Sequence, residues 1–140
     1  MLENNACNEE KMNPFLKEFN YDVMPERRKK VMVIDDDQDF RLSLSELLVE
    51  EGFSVTTAKD GEVALNKLIH HAELPDLILV DVMMPVMSGL QFRREQLLLN
   101  IINQIPVVFM TGHGYIEGES VLLKPLDQSE FLEAIRGKMV

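Results

Sequence analysis

A short apolar run at residues 77–80 constrains the fold of this 140-residue chain more than any other stretch. Prolines flank the run at positions 75 and 85, and it ends on the carboxylate of Asp81. Four aliphatic residues are too few for a buried helix and predict a strand covered on both faces, as in a parallel sheet. In open α/β sheets the chemistry lies beyond the carboxyl ends of the strands, so Asp81 is a nucleophile, a metal ligand or a solvated strand end.

Three further apolar runs have the same form, and each ends in polar residues. Residues 31–34 lead into Asp35, Asp36 and Asp37, residues 107–110 lead into Thr111, and residues 121–123 lead into Lys124 and Pro125. Because parallel strands share one carboxyl edge, we expect these groups to converge with Asp81. Carboxylates, a hydroxyl and an ammonium together suit phosphate and divalent-metal chemistry.

Helix signals alternate with these strands, a pattern that predicts a doubly wound α/β fold. Asp37 is placed to cap a helix that runs to about Glu51. The remaining predicted elements are a second strand at 54–58, a helix that opens at Asp60 and Gly61, a helix from Ser88 to about Asn100, a fourth strand at 105–110 and a last helix that starts at Asp127 or Ser129. The predicted inner faces of the four helices are, in order, Phe40, Leu44, Leu47 and Leu48; Val63, Ala64, Leu65 and Leu68; Leu90, Leu97, Leu98 and Ile101; and Phe131, Leu132 and Ile135.

Composition and charge narrow the class of protein. The formal net charge of −10 argues against a nucleic-acid surface and against docking on an anionic membrane. No apolar run approaches the ~20 residues that a membrane helix needs, so we expect no membrane insertion. The single cysteine, Cys7, cannot form an internal disulfide, which favours a reducing compartment and hence a cytoplasmic protein. We expect residues 1–29 to form a flexible extension, in which a short amphipathic turn after Pro14 is the alternative, and residues 30–140 to form one domain.

Taken as a set, these motifs resemble the receiver domain of two-component response regulators, of the chemotaxis type, over about residues 30–139. The residues that carry the resemblance are the acidic cluster at Asp35 and Asp36, the strand-final Asp81 with Met83, Met84, Pro85, Ser88 and Gly89 after it, Thr111, and Lys124 with Pro125. The resemblance implies a flavodoxin-like sheet of five parallel strands in the order 2-1-3-4-5.

The resemblance also implies a chemistry and a class of partner. Asp81 is then the phosphoacceptor, and Mg²⁺ is bound by Asp36, by Asp81 and by the backbone carbonyl of Met83, with Asp35 acting mainly through water. Thr111 and Lys124 then contact phosphoryl oxygens, and the bond between Lys124 and Pro125 is cis. The expected phosphoryl donor is a sensor histidine kinase or a histidine phosphotransfer protein. As a stand-alone receiver the chain would act through protein–protein contacts, which include a homodimer, or through onward phosphotransfer.

The sequence departs from the typical receiver in the segment between Thr111 and Lys124. Residues 112–120 are fewer than the dozen or so that a helical crossover takes, so we predict that the fourth helix is a loop or a single turn. Val121 stands where the family usually has an aromatic residue. Met83 and His113 occupy positions that tune attack by water on the phosphorylated aspartate in the family, and Met83 offers no hydrogen bond to water, which predicts slow autodephosphorylation.

Two other functions fit parts of the same pattern. A degenerate receiver would keep the fold and act only as a binding module, and the shortened crossover favours it. A phosphohydrolase of the haloacid-dehalogenase type also uses a strand-end aspartate, Mg²⁺ and a lysine followed by proline. Asp39 stands where that family has Thr or Val, and the chain is too short for its cap domain, so a receiver that is not an enzyme is the preferred interpretation.

Overall fold

Five parallel strands form a single sheet in the computed structural model, which describes residues 27–70, 73–112 and 114–139. The strands are β1 (Lys30–Ile34), β2 (Ser54–Ala58), β3 (Leu77–Asp81), β4 (Val107–Thr111) and β5 (Ser120–Leu123). Their order is β2-β1-β3-β4-β5 and every neighbouring pair is parallel, which confirms the predicted topology. The interpretations of Cys7, of the segment after Pro14 and of His113 lie outside the described residues.

Within these described ranges three helices connect strands and a fourth helix follows β5, and three of the four begin at the predicted cap. They are α1 (Gln38–Glu50), α2 (Gly61–His70), α3 (Gly89–Leu97) and α4 (Gln128–Lys138). The side chains of Asp37, Ser88 and Asp127 each accept a hydrogen bond from a backbone N–H of the first turn, which satisfies a donor that the helix itself cannot pair. The last helix therefore begins after Asp127 rather than at Ser129.

The helices cover both faces of the sheet, as a doubly wound fold requires. One core contains Val31 and Val33 of β1 with residues of α1 and α4, and the other contains Met32 and Ile34 of the same strand with residues of α2 and α3. The alternation along β1 arises because successive side chains of a strand point to opposite faces. The two central strands β3 and β4 are buried along their whole length, which explains their unbroken apolar sequence.

The predicted inner face of α3 is wrong. Leu90, Leu97, Leu98 and Ile101 are between 40% and 77% exposed, and the helix buries Gly89, Phe92 and Gln96 instead. Two causes combine: the helix ends at Leu97 rather than near Asn100, and its inner face is set by Phe92, not by the leucines. The other predicted faces are confirmed, since each of those side chains is buried or packs against one of the two cores.

Gln96 is a fully buried polar side chain, and its amide is completely used. Its Nε2 donates to the carbonyls of Ile102 and Ile105, both at 2.9 Å, and its Oε1 accepts from Nη1 of Arg93 at 2.7 Å. The amide thereby fixes the turn that leads from α3 into β4. A buried carbonyl without a donor loses the free energy of its hydration, so this arrangement is expected to matter for stability.

Gln96→Leu should lower the free energy of unfolding by roughly 2 kcal/mol, because an apolar side chain of similar size removes the amide donor from the carbonyls of Ile102 and Ile105, of which that of Ile102 keeps the backbone N–H of Ile105 as a partner. Urea unfolding followed by circular dichroism measures the change. Glu95→Leu is the matched control on the exposed neighbouring position and should change stability by no more than about 0.5 kcal/mol. Equal effects of the two substitutions would show that the buried hydrogen bonds contribute nothing.

The connection from β4 to β5 contains no helix within its described residues 112 and 114–119, which confirms the predicted loss of the fourth helix. Glu119 joins this connection to α3, because its Oε1 lies 3.0 Å from Nε of Arg93. Val121 is half-buried against the second core, whereas Tyr115 is 80% exposed and does not pack inward.

Among the helices that the structure describes, none has the length and apolar character needed to cross a membrane.

Candidate functional site

Three carboxylates meet at the carboxyl edge of the sheet. Asp35 and Asp36 follow β1, Asp81 ends the neighbouring strand β3, and one carboxylate oxygen of each lies within 4.8 Å of the others. Asp35 is fully buried, Asp81 is 8% exposed, and Asp36 faces solvent. The cluster is therefore a pocket with a buried floor and an open side.

Lys124 brings a positive charge into this pocket. Its Nζ lies 2.8 Å from Oδ2 of Asp35 and 3.4 Å from Oδ1 of Asp81. The residue follows β5, and its backbone N–H donates to the carbonyl of Thr111 at 2.7 Å, which sets the side chain at the same edge as the carboxylates. The bond between Lys124 and Pro125 is cis, as the resemblance implies.

Asp35 is held by the backbone and by α1. Its Oδ1 accepts from the backbone N–H of Asp37 at 2.9 Å, and its carbonyl accepts from Nη1 of Arg41 at 2.6 Å. One carboxylate oxygen thus faces the start of α1 and the other faces Lys124. Because each of its oxygens has a partner, the carboxylate of Asp35 is held in one orientation at the floor of the pocket.

Negative charge outweighs positive charge in this site. Burial raises the pKa of Asp81 above its ordinary value of 3.8, the charge of Asp35 raises it further, and Lys124 opposes the shift without cancelling it. Burial alone would lower the pKa of Lys124, but its hydrogen bond and charge interaction with Asp35, together with Asp81, outweigh burial and raise it. The two shifts differ in their main cause, which is burial for Asp81 and contact with carboxylates for Lys124.

Thr111 and Met83 lie near this group at the positions that the sequence gives them. Thr111 ends β4 next to β3, one residue beyond the partner of Asp81 in the ladder, and it is 8% exposed. Met83 lies two residues beyond Asp81 with its side chain 78% exposed. The structure thus brings four predicted residues into direct proximity, Asp35, Asp36, Asp81 and Lys124, with Thr111 on the adjacent strand end. Their roles remain predictions.

The backbone that follows Asp81 packs closely against the start of α3. The backbone N–H of Gly89 donates to the carbonyl of Val82 at 3.0 Å, and a β-carbon on Gly89 would lie 2.3 Å from the carbonyl oxygen of Asp81. Only glycine permits so close an approach of two backbones. Gly89 is one of the residues that carry the resemblance, and glycine is required there because any side chain would collide with the backbone of Asp81.

Val86 in the same loop has a backbone conformation that disfavours its side chain. Its φ is 67°, in the left-handed region, where a β-branched residue is strained, and the side chain is 74% exposed. Val86→Gly should therefore raise the free energy of unfolding by about 1 kcal/mol, as measured by thermal and urea unfolding. Val49→Gly, at an exposed position inside α1, should lower it by a similar amount. A loss of stability at both positions would rule out strain at Val86.

The donor set of the acidic cluster fits Mg²⁺. It offers hard carboxylate oxygens from few residues, and the exposed side at Asp36 leaves room for water, which Mg²⁺ retains in most protein sites. The excess negative charge of the pocket also favours a divalent cation.

Sequence reasoning missed two side chains at this site, Phe40 and Arg41, because only the folded chain shows that α1 turns them toward Lys124 and Asp35.

The sheet order and the acidic edge together define a doubly wound α/β protein of the flavodoxin-like class. Residues 31–136 match the model of the response regulator receiver domain, and the chain belongs to this family. Receiver domains are signalling modules of two-component systems that interact with histidine kinases and generally bind Mg²⁺ at an acidic cluster. The family membership confirms the resemblance and leaves the phosphohydrolase alternative without support.

The chain is similar to part of longer transcriptional regulators and to a chemotaxis response regulator. It is 35% identical over 116 residues to transcriptional regulatory protein CpxR of Klebsiella pneumoniae, a match that covers 76% of this chain and 47% of that protein. It is 30% identical over 124 residues to the probable transcriptional regulator ycf27 of Guillardia theta, covering 82% and 47%. The chain thus spans about half the length of these curated relatives. The structure of chemotaxis response regulator CheY4 of Vibrio cholerae matches with a TM-score of 0.73 at 28% identity, covering 80% of this chain and 99% of that one.

Proposed function

We propose that this receiver accepts a phosphoryl group on Asp81 from a histidine kinase or a histidine phosphotransfer protein. The observation that carries the proposal is the bridge made by Lys124, whose Nζ lies within reach of both Asp35 and Asp81 at the edge of the sheet. A structural ion pair alone would need one carboxylate. Here two carboxylates contact a partly exposed ammonium, and a third carboxylate lies beside them. Such a pocket can bind a cation through its carboxylates and an anion through its ammonium.

In the proposed transfer, a carboxylate oxygen of Asp81 attacks the phosphorus of a phosphohistidine. The new O–P bond forms as the P–N bond breaks, and the imidazole leaves and takes up a proton from solvent. The reaction needs in-line positioning and neutralisation of charge on the phosphoryl oxygens more than it needs covalent chemistry from the protein. Asp81 suits this role because its carboxylate lies at a strand end beside the ammonium of Lys124, and its side chain keeps 12% of its surface exposed.

Each neighbouring residue has a proposed part in the transfer. Mg²⁺ bound by Asp36, Asp81 and the carbonyl of Met83, with Asp35 acting mainly through water, would supply charge neutralisation on the phosphoryl oxygens. Lys124 carries a compact ammonium to one of these oxygens, and the hydroxyl of Thr111 donates to another. During the transfer a phosphoryl oxygen replaces one carboxylate as a partner of the Lys124 ammonium. Slow hydrolysis, inferred from Met83, remains a prediction.

The output follows from contacts with other proteins. We infer that the phosphorylated domain acts through protein–protein contacts or onward phosphotransfer, in the cytoplasm, with a homodimer as one form of contact. The match covers only 47% of each of the relatives named as transcriptional regulators, so any action on DNA is proposed for the longer proteins and not for this domain. A degenerate receiver is the second candidate, and the observation that favours it is the absence of a helix from the described residues between β4 and β5.

Incubation with acetyl phosphate and Mg²⁺, followed by mass spectrometry of the intact protein, tests the proposal. The native protein should gain one phosphoryl group, and Asp81→Asn should gain none. Asp39→Asn is the matched control, since it changes an exposed carboxylate of α1 outside the cluster and should leave the gain intact. A native protein that takes no phosphoryl group, or an Asp81→Asn protein that still does, would contradict the assignment and favour the degenerate receiver.

A further inference from the structure

The ammonium of Lys124 lies over an aromatic ring. Its Nζ is 4.1 Å from the ring centroid of Phe40, a residue in the first turn of α1. The two residues are 84 positions apart in the sequence, so only the fold brings them together. A cation at this distance from the face of a ring is attracted by the negative charge density of that face.

Phe40 covers a side of the ammonium that the carboxylates leave open. Asp35 lies 2.8 Å away and Asp81 3.4 Å away, and the side chain of Lys124 is only 23% exposed. A lysine side chain has four rotatable bonds, and its ammonium is easily drawn into water. The ring contact therefore limits the conformations that Lys124 can adopt. The ring does so without taking up an N–H group that a carboxylate could use.

We propose that Phe40 is a positioning residue that holds the ammonium of Lys124 at the phosphoryl site. This inference rests on the proposed function. During transfer Lys124 exchanges a carboxylate for a phosphoryl oxygen, whereas its contact with the ring stays unchanged through this exchange. The contribution of Phe40 is to keep the ammonium at the edge of the sheet while the ion pairs are rearranged.

An ordinary packing role for Phe40 has to be separated from this one. The ring also lines a shallow apolar groove with Ser43, Leu44, Leu47, Pro125 and Leu126. Leucine at position 40 would still fill the groove but would lack the charge distribution of an aromatic face. Tyrosine would keep both. The two substitutions therefore distinguish the packing of an apolar side chain from the attraction of a cation to a ring.

The rate of phosphorylation by acetyl phosphate at saturating Mg²⁺ is the first measurement. Phe40→Leu should slow it about 3- to 10-fold, and Phe40→Tyr should stay within about 2-fold of the native rate. Leu47→Ala, which changes the same groove but leaves the aromatic ring in place, should have the native rate. A native rate for Phe40→Leu, or equal slowing by Leu and Tyr, would overturn the proposal.

A double-mutant cycle with Lys124→Met shows whether Phe40 acts through the lysine. In that background Phe40→Leu should cause no further slowing, because the cation that the ring holds is gone. Slowing of the same size in both backgrounds would assign Phe40 to packing alone and overturn the positioning role.

Nuclear magnetic resonance gives a readout that does not depend on phosphorylation. The ε-methylene protons of Lys124 should resonate upfield in the native protein and in Phe40→Tyr, and should return to ordinary lysine values in Phe40→Leu. Ordinary values in the native protein would overturn the ring contact. If the native protein takes no phosphoryl group, the proposed function fails by itself, and this comparison alone decides whether Phe40 positions Lys124.

Discussion

Gly89→Ala is expected to lower the free energy of unfolding by about 3 kcal/mol and to impair phosphorylation of Asp81 in the molecules that stay folded. The added β-carbon would lie 2.3 Å from the carbonyl oxygen of Asp81 and 3.1 Å from the α-carbon of Val82. Both are backbone atoms, which cannot rotate away as a side chain can, so β3 and α3 must separate. The separation displaces the strand end that carries the proposed phosphoacceptor.

Two other glycines provide a graded control for this prediction. A β-carbon at Gly61 would meet the flexible side chain of Met87 at 2.9 Å, so Gly61→Ala should cost less than Gly89→Ala. Gly137 lies inside α4, where an added methyl group would meet no atom of the described residues within 4 Å, so Gly137→Ala should raise stability by up to about 1 kcal/mol. Thermal unfolding and the acetyl phosphate reaction should both follow this order. Equal stability of the three variants would contradict the steric account.

The elements that the sequence predicted correctly are those whose signals are local. The strand-final carboxylates and the caps at Asp37, Ser88 and Asp127 depend on neighbours a few residues away, and each begins or ends an element where expected. The loss of the fourth helix was also predictable, because it follows from the number of residues between two strands. Parallel strands then bring distant carboxylates to one edge without further information.

The features that the sequence did not predict depend on distances through space. Leu90 and Leu97 are apolar yet exposed, whereas Gln96 is polar yet buried, and the hydrophobic pattern alone assigns both the wrong way. The buried amide of Gln96 donates to two carbonyls of the following turn, and no spacing rule indicates these contacts. The contact of Phe40 with Lys124 likewise joins the first helix to the residue that follows the last strand.

The protein without divalent cations should become more stable when Asp81 is replaced by asparagine at pH 7. The pKa of Asp81 is raised in the folded protein, so the folded state binds a proton more tightly than the unfolded state. Its favourable contribution is complete below the ordinary value of 3.8 and is lost as the pH rises through the raised pKa. At neutral pH the ionised carboxylate therefore opposes folding, mainly through burial and through repulsion by Asp35.

Thermal unfolding in a chelator, measured from pH 7 downward, checks this sign. Asp81→Asn should unfold at a higher temperature than the native protein at pH 7, and the difference should shrink as the native carboxyl becomes protonated. Glu46→Gln, an exposed carboxylate in α1, should show no such pH-dependent difference. A lower melting temperature for Asp81→Asn at pH 7 would mean that the ion pair with Lys124 outweighs burial.

Mg²⁺ should raise the stability of the native protein. At about ten times its dissociation constant, a cation bound only by the folded state adds roughly 1.4 kcal/mol to the free energy of unfolding. The native protein should gain this increment, and Asp36→Ala should lose it, because the exposed oxygen that completes the cluster is gone. Glu46→Ala removes the same charge from outside the cluster and should keep the increment. A melting temperature of Asp36→Ala that rises with Mg²⁺ as much as that of the native protein would refute the assigned site.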